Sequence, residues 1–286
     1  MRIAIQGERG SFSHQAALRL VPDFAELQAC SLSPEVFARV VDGRADAAVI
    51  PIENSLAGSV LEHYDLLLAH PVHIEAELLL RIRHQLIAAP GTSLDAVREV
   101  FSHPVALAQC RNFFVAYPAL RAMPFYDTAG SAAHAVVTGG IAAIASEQAA
   151  AEYGGEILAA GIEDHTENYT RFLLVRADAT ASPDVPGVVQ SDVAAGNKVS
   201  LAFAVQNKPG ALVEALAVFA RHGLNLSRLE SRPVPGTPWE YVFYADYRFT
   251  TPTAALLALG ELRALCSFVK ELGRYMTAVP GPELPR

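Results

Sequence analysis

Three short segments combine hydroxyl, amide and charged side chains that could act on a small anionic molecule. They are GERGSFSH at 7–14, PIENSLAGSV at 51–60 and ENYTRF at 167–172. The guanidinium of Arg171 offers a planar fork of donors that matches a carboxylate. The hydroxyl of Thr170 beside it can pass a proton. Together the three segments predict a site that binds a carboxylate and transfers a proton.

Each segment also has a plainer explanation, and other chemistries lack their signatures. The first segment is explained by a capped glycine turn, and the second by a polar loop before a helix. The third is explained by the start of a strand with an exposed arginine. The glycines at 7–14 have neither dinucleotide nor phosphate-loop spacing, and G-x-S-x-G is absent. The nine histidines show no metal-ligand spacing. We therefore expect neither a metal nor an organic cofactor.

The elements that must position these segments alternate between strand and helix up to about residue 176. Apolar runs predict strands at 3–6, 45–52, 72–82, 99–102, 121–126, 141–145 and 171–176. Periodic apolar positions predict helices at 13–20, 58–70, 104–117, 131–138 and 147–153, and another that begins at Ser33 and Pro34 with Ser33 as its cap. Such alternation is typical of parallel sheets with helices on both faces. Ligands bind at the carboxyl ends of their strands.

A second folding pattern follows a segment with the composition of a linker at 179–197. Strands are predicted at 198–205, 224–234, 239–249 and 267–275, and helices at 209–222 and 252–262. The turn PGTP at 235–238 joins the two middle strands. This order predicts a ferredoxin-like βαββαβ unit over 198–278, with a short tail at 279–286.

The composition limits the partners and the compartment. The chain has 22 Lys and Arg against 30 Asp and Glu, a net charge of −8, so we expect no binding to nucleic acid or to a membrane surface. No uncharged apolar run reaches the ~18 residues of a membrane helix, and the N-terminus lacks the apolar run of a signal peptide. Three scattered cysteines suggest a reducing compartment. We expect a cytoplasmic protein.

Taken in order, these and three further segments resemble the motifs of the prephenate dehydratase family. The matching segments are GERGSFSHQAA from residue 7, PIENSLAGSV at 51–60, SHPVALAQC at 102–110, DTAGSAAHA at 127–135, IAAIASEQAAAEYG at 141–154 and NYTRF at 168–172. One such motif is weak, whereas several in the expected order identify the chain as a member of the family. One departure is Val105, which stands where glutamine is commoner.

The resemblance implies a fold, a reaction and a set of site residues. The fold is α/β, a two-lobed catalytic domain over 1–178 that resembles type II periplasmic binding proteins. Its lobes are expected at about 1–77 plus 165–178, and at 78–164. The reaction is the decarboxylation and dehydration of prephenate to phenylpyruvate, by a hydro-lyase of phenylalanine biosynthesis. The expected site residues are Ser11, Ser13, Glu53, Asn54, Ser55, Thr170, Arg171 and Phe172. Thr170 is expected to donate a hydrogen bond or a proton to the departing oxygen, and Arg171 to hold a carboxylate.

The second pattern resembles the ACT domain that is attached to these enzymes. KPGALV at 208–213 and ESRP at 230–233 carry the resemblance. It implies feedback inhibition by L-phenylalanine, bound between the ACT domains of two subunits in a homodimer or homotetramer. The expected effector-binding residues are Gly210, Ala211, Leu212, Val213, Asn225, Leu226, Glu230, Ser231, Arg232 and Pro233.

Three alternatives stay open at this stage. Arogenate dehydratase performs the same chemistry on the aminated substrate, and a dual cyclohexadienyl dehydratase would accept both substrates. Val105 indicates no preference between them. A non-catalytic amino-acid-binding regulator is the alternative from another class. Because the chain begins inside the first predicted strand, we expect an enzyme without a chorismate mutase segment.

Overall fold

The computed structural model describes residues 1–178, 196–234 and 240–279. The predicted turn at 235–238, the tail from 280 and nearly all of the predicted linker lie outside the described residues. The chain forms two compact units. The first contains Met1–His63 and Leu78–Leu173, and the second contains Tyr64–Glu77 and Leu174–Val279.

The helices and strands follow each other along the chain as the alternating pattern predicts. They are β1 (Arg2–Gln6), α1 (Phe12–Leu20), β2 (Glu26–Cys30), α2 (Ser33–Val41), β3 (Ala47–Asn54), β4 (Gly58–Ser59), α3 (Leu61–Ala69), β5 (Val72–Arg81), β6 (Gln85–Ala88), β7 (Glu99–Ser102), α4 (Pro104–Ala108), α5 (Arg111–Ala116), β8 (Arg121–Pro124), α6 (Thr128–Thr138), β9 (Ala142–Ala145), α7 (Glu147–Tyr153), β10 (Glu156–Ala160), β11 (Tyr169–Ala177), β12 (Lys198–Ala204), α8 (Ala211–Arg221), β13 (Asn225–Pro233), β14 (Tyr241–Arg248), α9 (Pro252–Leu265) and β15 (Phe268–Tyr275).

The first sheet of the first unit carries two of the three polar segments at its strand ends. Within this unit its strand order is β2-β1-β3-β11, and β1 runs parallel to both β2 and β3. Ile3, Ala4 and Ile5 are fully buried in β1, and the apolar start of β3 is buried with them. Such continuous apolar runs are typical of strands covered on both faces. Because β1 and β3 are parallel, the polar residues that follow them lie at the same edge.

A second sheet of the first unit has the strand order β10-β6-β9-β7-β8. β7 is parallel to β8 and β9, whereas β6 is antiparallel to β9 and β10. The prediction of parallel sheets is therefore wrong for this sheet, which is mixed. Neither β6 nor β10 had been predicted, because short apolar runs carry little periodicity. Small buried side chains of α6 and α7 pack against it, which allows close helix–sheet contact.

The second unit contains the predicted βαββαβ order. β12, α8, β13, β14, α9 and β15 follow each other, with the strand order β13-β14-β12-β15 and antiparallel pairing throughout. Val199, Phe203, Phe219 and Leu259 belong to the buried cluster that joins this sheet to its helices. Within this unit, β15 also pairs with β5 through Gly273 and Ile74. The prediction of an α/β chain with a C-terminal ferredoxin-like unit is confirmed.

Three helix predictions need correction. The segment predicted as a helix at 58–70 begins with strand β4, and α3 starts only at Leu61. The helix predicted at 104–117 is interrupted, so that α4 ends at Ala108 and α5 begins at Arg111. Ser33 lies inside the first turn of α2 and Leu32 is the cap. The hydroxyl of Ser33 instead contacts the buried His63 Nε2 at 3.0 Å.

Candidate functional site

A cavity of about 460 Å³ in the first unit is lined by residues that follow strands of both sheets. Five predicted site residues line it: Ser11, Ser13, Asn54, Thr170 and Phe172. The three polar segments singled out in the sequence thus each contribute to one cavity. Glu53, Ser55 and Arg171 are not among its lining residues.

The first polar segment forms the turn between β1 and α1. Gly7 and Gly10 have φ angles of 95° and 82°, a region that side chains other than glycine rarely adopt. Ser11 is the cap of α1, and its Oγ accepts a hydrogen bond from the His14 N–H at 3.3 Å. The turn therefore places Ser11, Ser13 and the amino end of α1 at the cavity, where the helix favours negative charge.

Asn54, the last residue of β3, has an amide whose orientation is fixed by the backbone. Its Oδ1 accepts hydrogen bonds from the N–H groups of Leu56 and Ala57 at 3.0 and 2.8 Å. Since a backbone N–H can only donate, the oxygen must face these groups. The Asn54 Nδ2 consequently faces β11, where it donates to Thr170 Oγ1 at 2.9 Å.

Thr170 is 8% exposed and its hydroxyl accepts the hydrogen bond from Asn54. A hydroxyl has one hydrogen to donate, and the amide of Asn54 cannot accept it through its nitrogen. No acceptor for this hydrogen is found among the described residues. The hydroxyl hydrogen is therefore available to an oxygen atom bound in the cavity.

Arg171 and Glu53 form an ion pair rather than a wall of the cavity. Arg171 is 5% exposed, and its Nη1 lies 3.2 Å from Glu53 Oε1. Successive side chains of a strand point to opposite faces. Thr170 and Phe172 share the face of β11 that lines the cavity, and Arg171 therefore points away from it. The expected contact between Arg171 and a substrate carboxylate has no counterpart in this arrangement.

Ser55 joins the end of β3 to the start of β11. Its N–H donates to the Tyr169 carbonyl at 2.8 Å, and its Oγ accepts from the Tyr169 N–H at 2.9 Å. The same Oγ donates to the Glu167 carbonyl at 3.0 Å. Ser55 thus holds the backbone beside Thr170 instead of lining the cavity.

Several lining residues lie outside the three segments first singled out. They include His84, His103, Gln109, Tyr126, Asp127 and Thr128. Asp127 caps α6 by accepting from the Gly130 N–H at 2.8 Å, so a second helix begins at the cavity. His103 and Gln109 belong to SHPVALAQC, and Asp127 and Thr128 to DTAGSAAHA, so these two motifs were the available signal. No motif marked His84, and its only sequence signal was a polar side chain between two strands.

Among the described residues that line the cavity there is no lysine or arginine, and the acidic ones are Glu8 and Asp127. Burial lowers the pKa of His84, which keeps its ring neutral near pH 7. Burial also raises the pKa of the Tyr126 hydroxyl. Neutral donors, namely hydroxyls, amides and the start of α1, are thus the groups that can bind an anion here.

In the second unit the predicted effector-binding residues lie on two elements. Gly210, with a φ of 82°, caps α8, and Ala211, Leu212 and Val213 form the first turn of that helix. Asn225, Leu226, Glu230, Ser231, Arg232 and Pro233 all belong to β13. Leu212 lines a cavity of about 530 Å³, whereas the β13 residues do not. Arg232 donates instead to Asp65 of the same unit at 2.6 Å.

Among the described residues, no group of three or more His, Cys, Asp or Glu could hold a metal ion. No helix in the described ranges is both long enough and apolar enough to cross a membrane.

Comparisons with known proteins agree over nearly the whole chain. A family profile described as prephenate dehydratase matches residues 3–180, and one described as ACT domain matches residues 199–258. Arogenate dehydratase/prephenate dehydratase 2, chloroplastic, of Arabidopsis thaliana is 38% identical over 287 residues, which cover 96% of this chain and 72% of that relative.

Two solved structures are similar along their length. Prephenate dehydratase in complex with L-Phe from Arthrobacter aurescens superimposes with a TM-score of 0.83 at 32% identity, over 99% of this chain and 94% of that one. A structure described as GqqA, a novel type of quorum quenching acylases, superimposes with a TM-score of 0.84 at 34% identity, over 99% of each chain.

Proposed function

We propose, from the premise that the chain belongs to the prephenate dehydratase family, that it converts prephenate to phenylpyruvate in the cavity of the first unit. The position of the Thr170 hydroxyl carries this proposal. It faces the cavity, it accepts from Asn54, and its own hydrogen is uncommitted among the described residues. A group that must donate to a departing oxygen needs this arrangement.

The reaction removes a carboxylate and a hydroxyl from one ring. The bond to the ring carboxylate breaks and releases carbon dioxide, and its electron pair completes the aromatic ring as the carbon–oxygen bond of the hydroxyl breaks. One proton is taken up, so the dianion yields the phenylpyruvate anion, carbon dioxide and water. Hydroxide is a poor leaving group, and a positioned acid typically accelerates such a step by ~10²–10⁴-fold. Thr170 supplies the hydrogen at the leaving oxygen.

The remaining predicted residues divide into two roles. Ser11, Ser13 and the amino end of α1 bind a substrate carboxylate through neutral donors, and Phe172 provides an apolar wall. Arg171, Glu53 and Ser55 hold β3 and β11 beside each other, since they bond across these strands. This assignment replaces the direct carboxylate contact that was expected of Arg171.

Residues 1–178 are the proposed catalytic domain, with lobes at about 1–77 plus 165–178 and at 78–164, and residues 198–278 are the proposed regulatory ACT domain. The match to an ACT domain and the phenylalanine in the Arthrobacter aurescens structure support feedback inhibition by L-phenylalanine. We assign its binding to the start of α8 and to β13 in a homodimer or homotetramer. The cytoplasm is the proposed location. Millimolar phenylalanine should lower turnover, and an activity that ignores it would remove this part of the proposal.

The experiment that tests the catalytic proposal compares three forms of the protein. Wild type, Thr170→Val and Thr170→Ser are incubated with prephenate, and phenylpyruvate is measured. Valine keeps the shape but lacks the hydroxyl, and should reduce kcat by about 10²–10⁴-fold. Serine keeps the hydroxyl, so the Thr170→Ser variant should keep most of the wild-type kcat. Equal turnover by the valine variant and wild type would refute the role of Thr170.

Arogenate is the second substrate to be tested, because the relative from Arabidopsis thaliana carries both names. Its conversion yields phenylalanine, which chromatography separates from phenylpyruvate. Turnover of arogenate but not of prephenate would assign the chain to the aminated substrate, and turnover of both would assign a dual enzyme. Binding of either compound without turnover would favour the non-catalytic regulator.

An acylase activity is a second candidate, favoured by the likeness to the GqqA structure. Hydrolysis of an acyl amide needs an activated hydroxyl or water. Among the described residues, the side chains of Ser11, Ser13 and Thr170 form no hydrogen bond with a histidine ring or a carboxylate. The geometry therefore gives this candidate less support. Release of a fatty acid from an N-acyl amide by the purified protein would establish it.

A further inference from the structure

A continuous series of side-chain hydrogen bonds connects Thr170 to a buried histidine that also lines the cavity. Asn54 Nδ2 donates to Thr170 Oγ1 at 2.9 Å and to Asn168 Oδ1 at 2.8 Å. Asn168 Nδ2 donates to Gln109 Oε1 at 3.0 Å. His84 Nε2 lies 2.9 Å from the same Gln109 oxygen. We call this series the amide relay; its members are Thr170, Asn54, Asn168, Gln109 and His84.

The direction of every bond in the amide relay follows from its first member. The backbone N–H groups of Leu56 and Ala57 fix the oxygen of Asn54, so its nitrogen faces Thr170 and Asn168. Asn168 must then present its oxygen to Asn54 and its nitrogen to Gln109. The oxygen of Gln109 can only accept, and His84 Nε2 must therefore carry a hydrogen. The backbone of one loop thus determines the tautomer of a distant histidine.

The other ring nitrogen of His84 agrees with this direction. His84 Nδ1 is buried and bonds no protein atom among the described residues. A neutral ring with its hydrogen on Nε2 leaves Nδ1 without one, so no buried N–H is left without an acceptor. Phe12 holds the ring edge-on, with centroids 5.6 Å apart. His84 itself is 2% exposed.

We propose that His84 is a positioning residue for the reaction: by donating from Nε2 to Gln109, it holds the amide relay that leaves the Thr170 hydroxyl hydrogen directed at the substrate. Without the donor from His84, the Gln109 oxygen keeps only the hydrogen bond from Asn168, so the Gln109 and Asn168 side chains are held less firmly. Asn54 keeps its orientation, because Leu56 and Ala57 hold its oxygen, but its nitrogen loses the firm acceptor that Asn168 provides. The hydrogen bond from Asn54 to Thr170 is then less well positioned, although the fold is kept.

This inference rests on the proposed function, and its test uses two substitutions that place an amide nitrogen at different points of the ring. The nitrogen of His84→Gln reaches the position of Nε2, whereas the nitrogen of His84→Asn reaches only that of Nδ1. Glutamine should keep kcat within about threefold of wild type. Asparagine should lower kcat about tenfold or more, the effect of one lost hydrogen bond, with KM and Tm little changed.

Two results would overturn the inference. Equal loss of kcat in both variants would show that the ring is needed for something other than the Nε2 donor. A loss confined to KM or Tm would show that His84 serves binding or stability. A general structural role would not separate glutamine from asparagine, since both replace a buried ring by a smaller amide.

A readout independent of activity separates this inference from the proposed function. Nitrogen-15 NMR of the wild-type chain labelled at histidine should show His84 neutral at pH 7, with its hydrogen on Nε2. If that tautomer is found in a protein that turns over neither prephenate nor arogenate, the proposed function fails and the amide relay stands. If the hydrogen is found on Nδ1 in an active enzyme, the relay is overturned and the function stands.

Discussion

At the scale of single residues, the hydrogen-bonding direction of Asn54 is the most sensitive feature of the cavity. In Asn54→Asp, one carboxylate oxygen still accepts from Leu56 and Ala57, but the donor to Thr170 becomes an acceptor. Thr170 must then donate to residue 54, and its hydrogen is withdrawn from the substrate. We expect kcat to fall by roughly 100-fold, measured by steady-state kinetics. Thermal unfolding should show a lower Tm as well, because the carboxylate also faces the Asn168 oxygen that now lacks its donor.

A control separates this effect from the added negative charge. Asn207→Asp adds the same charge at an exposed position of the second unit. It should leave kcat unchanged. If Asn54→Asp raises KM and leaves kcat intact, charge repulsion of the substrate is the cause and the orientation argument for Thr170 is wrong.

The residues of the cavity were predictable where one short segment holds both the side chain and the turn that directs it. Ser11 and Asn54 are of this kind, because a strand end and a helix start lie next to them. That Arg171 and Thr170 point to opposite faces of β11 could have been read from the alternation of side chains in a strand. The position of His84 beside Gln109 could not be predicted, since the contacts that connect these two residues to Thr170 join positions far apart in the chain.

At the scale of elements, the start of α1 depends on close contact with α7. A Cβ on Gly10 would lie 2.7 Å from Ala149 Cα, and the φ of Gly10 is 82°. Gly10→Ala should therefore lower the free energy of unfolding by about 2–4 kcal/mol, from backbone strain and overpacking together. Because Ser11 and Ser13 move with this turn, the binding of prephenate should weaken too.

Gly43→Ala is the matched control for that substitution. Gly43 has a φ of 68°, but a Cβ there meets no atom within 4 Å. It should lower the free energy of unfolding by only about 1–2 kcal/mol and leave KM unchanged, as measured by denaturant unfolding and kinetics. Equal destabilisation by the two substitutions would mean that the contact between α1 and α7 contributes nothing.

Element boundaries were predictable where their signals are local. The α7 bounds follow from a serine cap and the left-handed Gly154, both visible in the sequence. The break between α4 and α5 was missed because its cause is distant. The carboxylate of Asp164 accepts from the N–H groups of Arg111 and Asn112 at 3.0 and 2.9 Å, and so caps α5 from a residue about fifty positions away.

At the scale of the whole molecule, the second unit is completed by a segment from the first half of the chain. Tyr64–Glu77 belongs to it together with Leu174–Val279. Lys270 Nζ donates to the carbonyls of Leu67, Leu68 and His70 at 2.9, 3.1 and 2.8 Å, which satisfies the carboxyl end of α3. The local sequence pattern predicts the βαββαβ order. It does not predict that Tyr64–Glu77 packs with this order, because that depends on contacts between distant parts of the chain.

The shared segment predicts what happens when the chain is cut. A protein of residues 1–178 keeps Leu67, Val72 and Ile74, which are nearly fully buried in the second unit, but lacks β12 to β15. It also keeps Glu77, whose Oε2 lies 2.8 Å from Lys198 Nζ. Loss of β12 to β15 removes this cation and also exposes the apolar side chains to water. The truncated protein should therefore unfold at a lower temperature than the full chain and bind a hydrophobic dye.

The full chain with Lys198→Met isolates the ionic part of that effect. It removes the cation from Glu77 while keeping every apolar contact of Leu67, Val72 and Ile74. Its Tm should lie between those of the full chain and of the truncated protein, without dye binding. A truncated protein as stable as the full chain would show that residues 64–77 fold with the catalytic half. In that case, removal of the regulatory domain would relieve inhibition without loss of stability. The structure predicts instead that the loss of inhibition comes with a loss of stability.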